Sequence, residues 1–183
     1  MKDTQIAHLE SQRISLVNKL HNIDPVKLEF REEAQRWSIL NVVEHLVLSE
    51  ESSVNYALRK IQEIENLKGI SIKSRLYGFI LNTVLKFNLK FKSPEVATPG
   101  LNPVTLDELN VRWEAARIQL YNLSAASPDV LNKGILKHPF VGRMNFNQML
   151  QFFEAHFEHH IVQINRLVEK QMLQKSILVE VAK

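Results

Sequence analysis

Residues 145–171 constrain the fold most, because they carry a long helical pattern that neither glycine nor proline interrupts. Within this segment one set of side chains recurs every three or four residues, the spacing that places them on one face of an α-helix. The set comprises Met149, Phe153, His156, His160, Ile164 and Leu167. The sequence therefore predicts a long amphipathic helix whose buried face includes two imidazoles.

Two histidines on an apolar face need polar partners, because burying a polar group without a hydrogen bond costs about 2 to 7 kcal/mol. His156 and His160 are four residues apart, so their Cβ atoms lie about 5 to 6 Å apart on a helix. Both rings can then reach one metal ion. The same positions also suit two core imidazoles that bond to buried acceptors or to water. Spacing alone leaves both interpretations open.

Two further helical patterns occupy the first third of the chain. Apolar residues recur between Ile6 and Leu20, and Asp24-Pro25 ends this first pattern. The second pattern begins after Ser38, a residue type that caps helix N-termini, and we expect it to continue to about Leu67 before Gly69. These are the predicted helices one and two.

The third pattern begins after Thr105, where Glu108 completes a capping-box sequence, and runs to about Leu123. Together with residues 145–171 it brings the number of long helical patterns to four. Only five glycines and six prolines interrupt the chain, and 45% of its residues are hydrophobic, enough to fill one core. We therefore predict an all-α fold, a four-helix bundle formed by a single domain over residues 1–183.

The connection between helices two and three, residues 70–102, contains an amphipathic segment of its own. Its apolar side chains are Leu76, Phe79, Ile80, Val84, Phe87 and Phe91, and its basic ones are Lys73, Arg75, Lys86, Lys90 and Lys92. We expect an extra helix that covers an open end of the bundle with its lysines in solvent. A membrane surface or a partner groove is the alternative. Polar residues interrupt the segment too early for it to span a bilayer.

Charge and cysteine content exclude several classes of function. The chain has no cysteine, which rules out disulfides, thiolate metal ligands and a cysteine nucleophile, and which fits a reducing cytoplasm. The start of the sequence lacks the apolar core of a secretion signal, so we expect a cytoplasmic protein. The net charge is +3 with the basic residues spread along the chain, and this does not indicate a nucleic-acid partner.

A third candidate metal ligand is His45, at the edge of the apolar face of helix two. Sites in four-helix bundles are built from side chains on facing helices, so His45 can join His156 and His160. Three neutral imidazoles suit zinc or nickel and leave a coordination position open for a small-molecule substrate.

The residues also carry a family resemblance. A Trp and a Ser followed by His-Leu and a Glu stand at Trp37, Ser38, His45, Leu46 and Glu50. A second motif, a His-Pro and a Gly followed by spaced histidines and Gln-Ile, stands at His138, Pro139, Gly142, His156, His159, His160, Gln163 and Ile164. Both motifs resemble those of the DinB-like superfamily. The resemblance implies a four-helix bundle with one metal held by His45, His156 and His160, and it implies a homodimer. His159 lies off the apolar stripe and is not expected to be a ligand.

The superfamily includes metal-dependent transferases that use low-molecular-weight thiols, and the resemblance implies that a bound metal would hold such a thiol as thiolate. A metal-dependent hydrolase is an alternative. A third interpretation is a non-catalytic module, in which the histidine cluster stabilises the bundle and the basic connection contacts a partner. An open coordination position would favour chemistry over a structural metal.

Several other residues have less specific interpretations. Glu50 and Gln163 are candidates for contacts with the ligand histidines, although each also suits other roles. Trp37 and Trp113 are expected to be core anchors.

The segment around the His-Pro motif is predicted to be a loop. His138 is expected to be structural there, with Pro139 fixing an extended turn and Gly142 permitting a tight one. Lys137 and Arg143 can line the mouth of a site, but solvated loop charges are the expected interpretation.

Overall fold

A computed structural model of the chain describes residues 2–86, 97–100 and 104–181, with the side chains of Lys86 and of residues 174–181 left undescribed. Within these ranges the fold is all-α apart from one small hairpin. The elements are α1 Lys2–His21, α2 Pro25–Leu28, α3 Ile39–Ile61, a 3₁₀ turn Ile64–Asn66, α4 Ile72–Lys86, α5 Leu106–Ser124, α6 Pro128–Leu131, β1 Leu136–His138, β2 Gly142–Met144 and α7 Phe146–Val181. The predicted fold class is confirmed.

The four long helices α1, α3, α5 and α7 form the bundle. Helices α1 and α3 each pack against both α5 and α7, so the apolar faces of all four meet in one interior. The predicted stripe on α7 is buried along its whole length, and its apolar members Met149, Phe153, Ile164 and Leu167 are at most 2% exposed. His156 and His160 are buried with them.

The predicted caps occur where the sequence places them. The Ser38 side chain accepts a hydrogen bond from the Asn41 amide, and Asn41 bonds back to the Ser38 amide. Thr105 and Glu108 make the same reciprocal pair at the start of α5. Each exchange satisfies amide groups that the first helical turn leaves without partners.

Two helix ends differ from the sequence prediction. Helix α3 ends at Ile61 and not near Leu67, which packs against the core from beyond the 3₁₀ turn and so still contributes to the apolar pattern. Helix α7 continues past Gln171 to Val181, because no breaker residue follows it. The apolar spacing therefore predicted where the helices lie, but it did not predict the residues at which α3 and α7 end.

Helix α4 is the predicted extra segment, and it packs against α7 and the hairpin. Its buried side differs from the predicted one: Leu76, Phe79 and Ile80 are 44 to 71% exposed. The residues turned to the protein are spaced three or four apart, and the first two of them are small: Ser74, Gly78, Leu81 and Leu85. Small residues allow α4 to approach its neighbours closely. A search for apolar spacing does not detect such residues. Phe87, Lys90, Phe91 and Lys92 lie outside the described residues, and no described helix is long and apolar enough to cross a membrane.

The segment predicted to be a loop is a two-stranded antiparallel hairpin. Leu136, Lys137 and His138 pair with Met144, Arg143 and Gly142. The expected tight turn is present, since Gly142 has φ of +85°, a conformation that side-chain-bearing residues rarely adopt. His138 therefore lies at the end of a strand rather than in a loop, and it lines the same cavity as the histidines of α3 and α7.

Candidate metal centre

Three histidines meet between α3 and α7. Nε2 of His156 lies 3.0 Å from Nε2 of His45 and 3.1 Å from Nε2 of His160. One ring nitrogen from each of the three residues lies within 4.8 Å of the others, and all three residues are buried. The helical spacing of His156 and His160 places them on one face, and the packing of α3 on α7 supplies His45.

Hydrogen bonds fix the tautomers of two of these rings. Nδ1 of His45 donates to the carbonyl oxygen of Ala97 at 2.6 Å. Nδ1 of His160 donates to Oε1 of Gln163 at 3.0 Å. A neutral imidazole has one proton, so Nε2 of both rings is left as a lone-pair donor directed at His156.

This arrangement fits a cation. Nε2 of His156 holds at most one proton and can donate to only one of its two neighbours, so at least one of the two contacts at about 3 Å has no hydrogen between the nitrogens. A divalent ion between the three nitrogens would accept all three lone pairs. Two nitrogens bound to one tetrahedral zinc lie about 3.3 Å apart, so small ring movements would admit the ion.

Burial keeps the three rings neutral, the form that binds metal. Desolvation lowers the pKa of His156 well below its usual value, and the neighbouring histidines lower it further. Desolvation and then the charge of His45 lower the pKa of His160 to about 3. Desolvation also lowers the pKa of His45, although the hydrogen bond to Ala97 opposes it.

The three histidines line a cavity of about 480 Å³. The apolar residues in its lining include Trp37, Leu81, Leu85, Leu136, Phe140 and Phe152. The polar residues in its lining include Ser49, Ser52, Ser53, Asn55, Tyr56, Arg59 and Lys137. The size falls within the usual range for small-molecule sites.

Aromatic rings hold the cluster in place. Phe152 stacks on His156 with ring centroids 5.1 Å apart and an interplanar angle of 15°. Trp37 lies 4.9 Å from His45, ring to ring, and lines the cavity. The prediction that Trp37 is a core anchor is therefore incomplete, because this half-buried ring also forms part of the site wall. Trp113 is fully buried, as expected.

His138 is a further titratable group on the cavity wall. The Phe140 amide donates to its Nδ1 at 3.3 Å, so the neutral ring has its proton on Nε2. Its ring lies 4.8 Å from Phe152, and desolvation lowers the pKa of His138 to about 4. The sequence interpretation of His138 as purely structural overlooked this position in the cavity wall.

Glu50 belongs to a different buried cluster. Its Oε1 accepts from Nη2 of Arg117 at 2.7 Å, and both side chains are at most 4% exposed. Desolvation raises the pKa of Glu50, while the charge of Arg117 opposes that rise. Glu50 is therefore directed toward α5, and the proposed contact between Glu50 and a ligand histidine has no support in this geometry.

His159 also has a partner outside the cluster. Its Nδ1 donates to the carbonyl oxygen of Leu85 at 3.1 Å, which ties α7 to α4. His159 lines the cavity beside His160 but is not a member of the converging group.

The comparison with protein families is decisive for classification. A family model described as the DinB superfamily matches residues 8–164, most of the chain and all three histidines. The chain belongs to the DinB superfamily. It is 23% identical over 158 residues to the uncharacterized protein YuaE of Bacillus subtilis, an alignment that covers 86% of this chain and 93% of YuaE. No solved structure shows significant similarity to it.

Some site features of this DinB-superfamily chain were missed at the sequence level. The polar cavity wall follows His45 along α3 as Ser49, Ser52, Ser53 and Tyr56, a spacing that places hydroxyl groups beside a histidine. That spacing could have predicted the polar part of the cavity lining. The contact with the Ala97 carbonyl could not be predicted, because every residue type has a backbone carbonyl.

Proposed function

We propose that the chain binds one divalent ion, zinc or nickel, through His45, His156 and His160, and transfers a low-molecular-weight thiol to a small-molecule acceptor. The observation that carries this proposal is the opening of the three histidines onto a cavity of about 480 Å³. A purely structural metal is enclosed by four protein ligands, whereas a catalytic one keeps a position for substrate. This cluster offers three nitrogens and a space beside them.

In this proposal the residues around the histidine cluster have separate roles. A bound metal would keep an external thiol as thiolate near neutral pH, a nucleophile that this cysteine-free chain does not supply itself. Ala97 and Gln163 orient two ligand rings. The apolar residues in the lining offer contacts to the carbon parts of a substrate, and the Nε2–H group of His138 is available to donate to a substrate oxygen.

A thiol-transfer assay tests this proposal. Metal-free protein is loaded with zinc or nickel and mixed with a small thiol and a chromogenic aryl halide. We expect turnover that requires the metal and is lost in His156→Ala. Activity that survives both chelation and this substitution would place the chemistry elsewhere. Metal-dependent hydrolysis of an activated ester without thiol transfer would favour the hydrolase alternative.

A homodimer in the cytoplasm is the proposed setting. The dimer follows from the family resemblance, and the exposed apolar side chains Leu76, Phe79 and Ile80 of α4 give it a candidate surface. The cytoplasmic location is proposed because the chain has no cysteine. Light scattering at micromolar concentration tests the dimer, and a monomeric mass would refute it.

A further inference from the structure

A second hollow of about 290 Å³ adjoins the metal cavity. We call it the basic hollow, because it is bordered by Lys60, Lys68, Lys137 and Arg143 around Tyr56 and Leu136. Tyr56, Leu136 and Lys137 also line the metal cavity, so the two spaces share a wall. The two spaces are therefore direct neighbours.

The charged side chains that line these two spaces are all basic. Neither lining includes an aspartate or a glutamate among the described residues. Lys60 forms an ion pair with Glu63 at 2.6 Å. Within the described part of the chain, no carboxylate lies within ion-pairing distance of Lys68, Lys137 or Arg143. Arg59, on the rim of the metal cavity, adds a further cation.

The hairpin register concentrates this charge. Lys137 and Arg143 lie directly opposite each other in the β1–β2 pair. Like charges in such a pair repel and destabilise a sheet, so the pair is unfavourable without an anion between or beside them. A short hairpin has few other interactions with which to offset that repulsion.

Gly134 makes room for one of these cations. A Cβ atom at position 134 would lie 2.8 Å from Cβ and 2.9 Å from Cδ of Arg143, so only glycine allows the arginine stem to lie here. The Gly134 amide donates to the Lys68 carbonyl at 2.9 Å, which holds the backbone of the lysine next to the same hollow. The positions of Lys68 and Arg143 are thus linked through one residue.

We propose that the basic hollow binds the carboxylate or phosphate group of a small-molecule substrate or co-substrate, whose remaining part extends past Tyr56 and Leu136 into the metal cavity. The inference rests on the proposed function for what happens at the metal end. It does not need the metal for binding of the anion. A hollow of about 290 Å³ is close in volume to the smaller small-molecule sites, which favours a small molecule over a nucleic-acid backbone or a membrane surface.

A pair of fluorescent probes tests this inference on the full-length protein. Anilinonaphthalene sulfonate carries an anion on an apolar ring system, and N-phenylnaphthylamine has the same rings without the sulfonate. We expect tighter binding of the sulfonate. Lys137→Glu combined with Arg143→Glu should weaken sulfonate binding about tenfold and leave the neutral probe unchanged. Displacement by benzoate and by phenyl phosphate, with phenol as the neutral control, distinguishes a carboxylate site from a phosphate site.

The matched control is Lys19→Glu combined with Lys27→Glu, which changes the net charge equally at an exposed residue of α1 and a half-buried residue of α2. Equal loss of sulfonate binding in the control would show a general charge effect and overturn the proposal. Equal affinity of the parent protein for both probes would also overturn it. If the reversal variant does not fold by circular dichroism, Arg143→Gln and Lys137→Gln provide the same comparison with smaller perturbation.

Zinc binding measured on the same samples separates the two proposals. Selective sulfonate binding without zinc binding would sink the metal function and keep the anion site. Zinc binding with no selectivity for the sulfonate would do the reverse.

Discussion

Oε1 of Gln163, one turn further along α7, accepts a hydrogen bond from Nδ1 of His160 at 3.0 Å. This bond leaves Nε2 of His160 as a lone-pair donor facing His156. Helix α7 thus presents both the candidate ligand and the group that orients its ring. The relationship is local in sequence, whereas the equivalent bond of His45 comes from Ala97, 52 residues away.

Replacing Gln163 with leucine should weaken metal binding about tenfold, because the ring of His160 loses the acceptor that fixes its tautomer. Gln163→Glu retains an acceptor and should bind at least as tightly as the parent. Competition with a chromogenic chelator measures both affinities. Equal affinity of the parent and the leucine variant would contradict the role of this contact.

The ligand assignment predicts a specific pattern of metal loss. Protein purified without a histidine tag should contain one divalent ion per chain, while His45→Ala and His160→Ala should contain almost none. His159→Ala, the matched control on α7, should keep the metal because its ring bonds to Leu85. Elemental analysis of all four proteins decides the matter. Retention of metal by the first two variants and its loss from the third would reverse the assignment.

The buried ion pair between Glu50 and Arg117 predicts a large effect on stability. Glu50→Ala leaves a buried guanidinium without its counter-charge, which should lower the free energy of unfolding by about 3 to 5 kcal/mol. Replacing both residues, Glu50→Leu with Arg117→Met, should recover most of that loss. Urea denaturation measures each step.

The same variants test whether Glu50 acts on the metal site. The double variant should bind zinc as tightly as the parent, because the Glu50 carboxylate contacts α5 and not a ligand ring. A tenfold loss of zinc affinity in the folded double variant would show that Glu50 influences the site after all.

His138 predicts a pH-dependent stability of the metal-free protein. Its pKa is lowered from 6.5 to about 4 by burial, so the unfolded chain binds more protons than the folded one between these values. Its contribution is present above pH 6.5 and is lost as the pH falls toward 4. The loss is on the order of 3 kcal/mol, since each pH unit in this window is worth about 1.4 kcal/mol.

His138→Gln should flatten this part of the stability profile, measured by urea denaturation at several pH values. His8→Gln provides the control, because His8 is mostly exposed on α1. A profile for His138→Gln that matches the parent would show that the ring does not titrate in this window.

Local patterns determined much of this protein. Ser38 and Thr105 marked the starts of α3 and α5 because capping depends on residues within three positions. The stripe through His156 and His160 followed from the helical period, and it identified two of the three converging rings. His45 was found because bundle geometry brings facing helices together. The order of the two DinB-like motifs also supported His45 as a candidate ligand.

Tertiary packing decided the features that depend on residues far apart in sequence. Glu50 suited several buried roles, and only the contact of α3 with α5 selected Arg117, 67 residues away. The face that α4 buries was set by how closely Ser74 and Gly78 let it approach its neighbours, and not by where its largest apolar side chains lie. The cavity is also a product of packing, since α3, α7 and the hairpin each contribute part of its wall. A sequence specifies which groups a helix presents through short-range periodicity, but the distance between groups on different elements depends on the shapes of all the side chains packed between them.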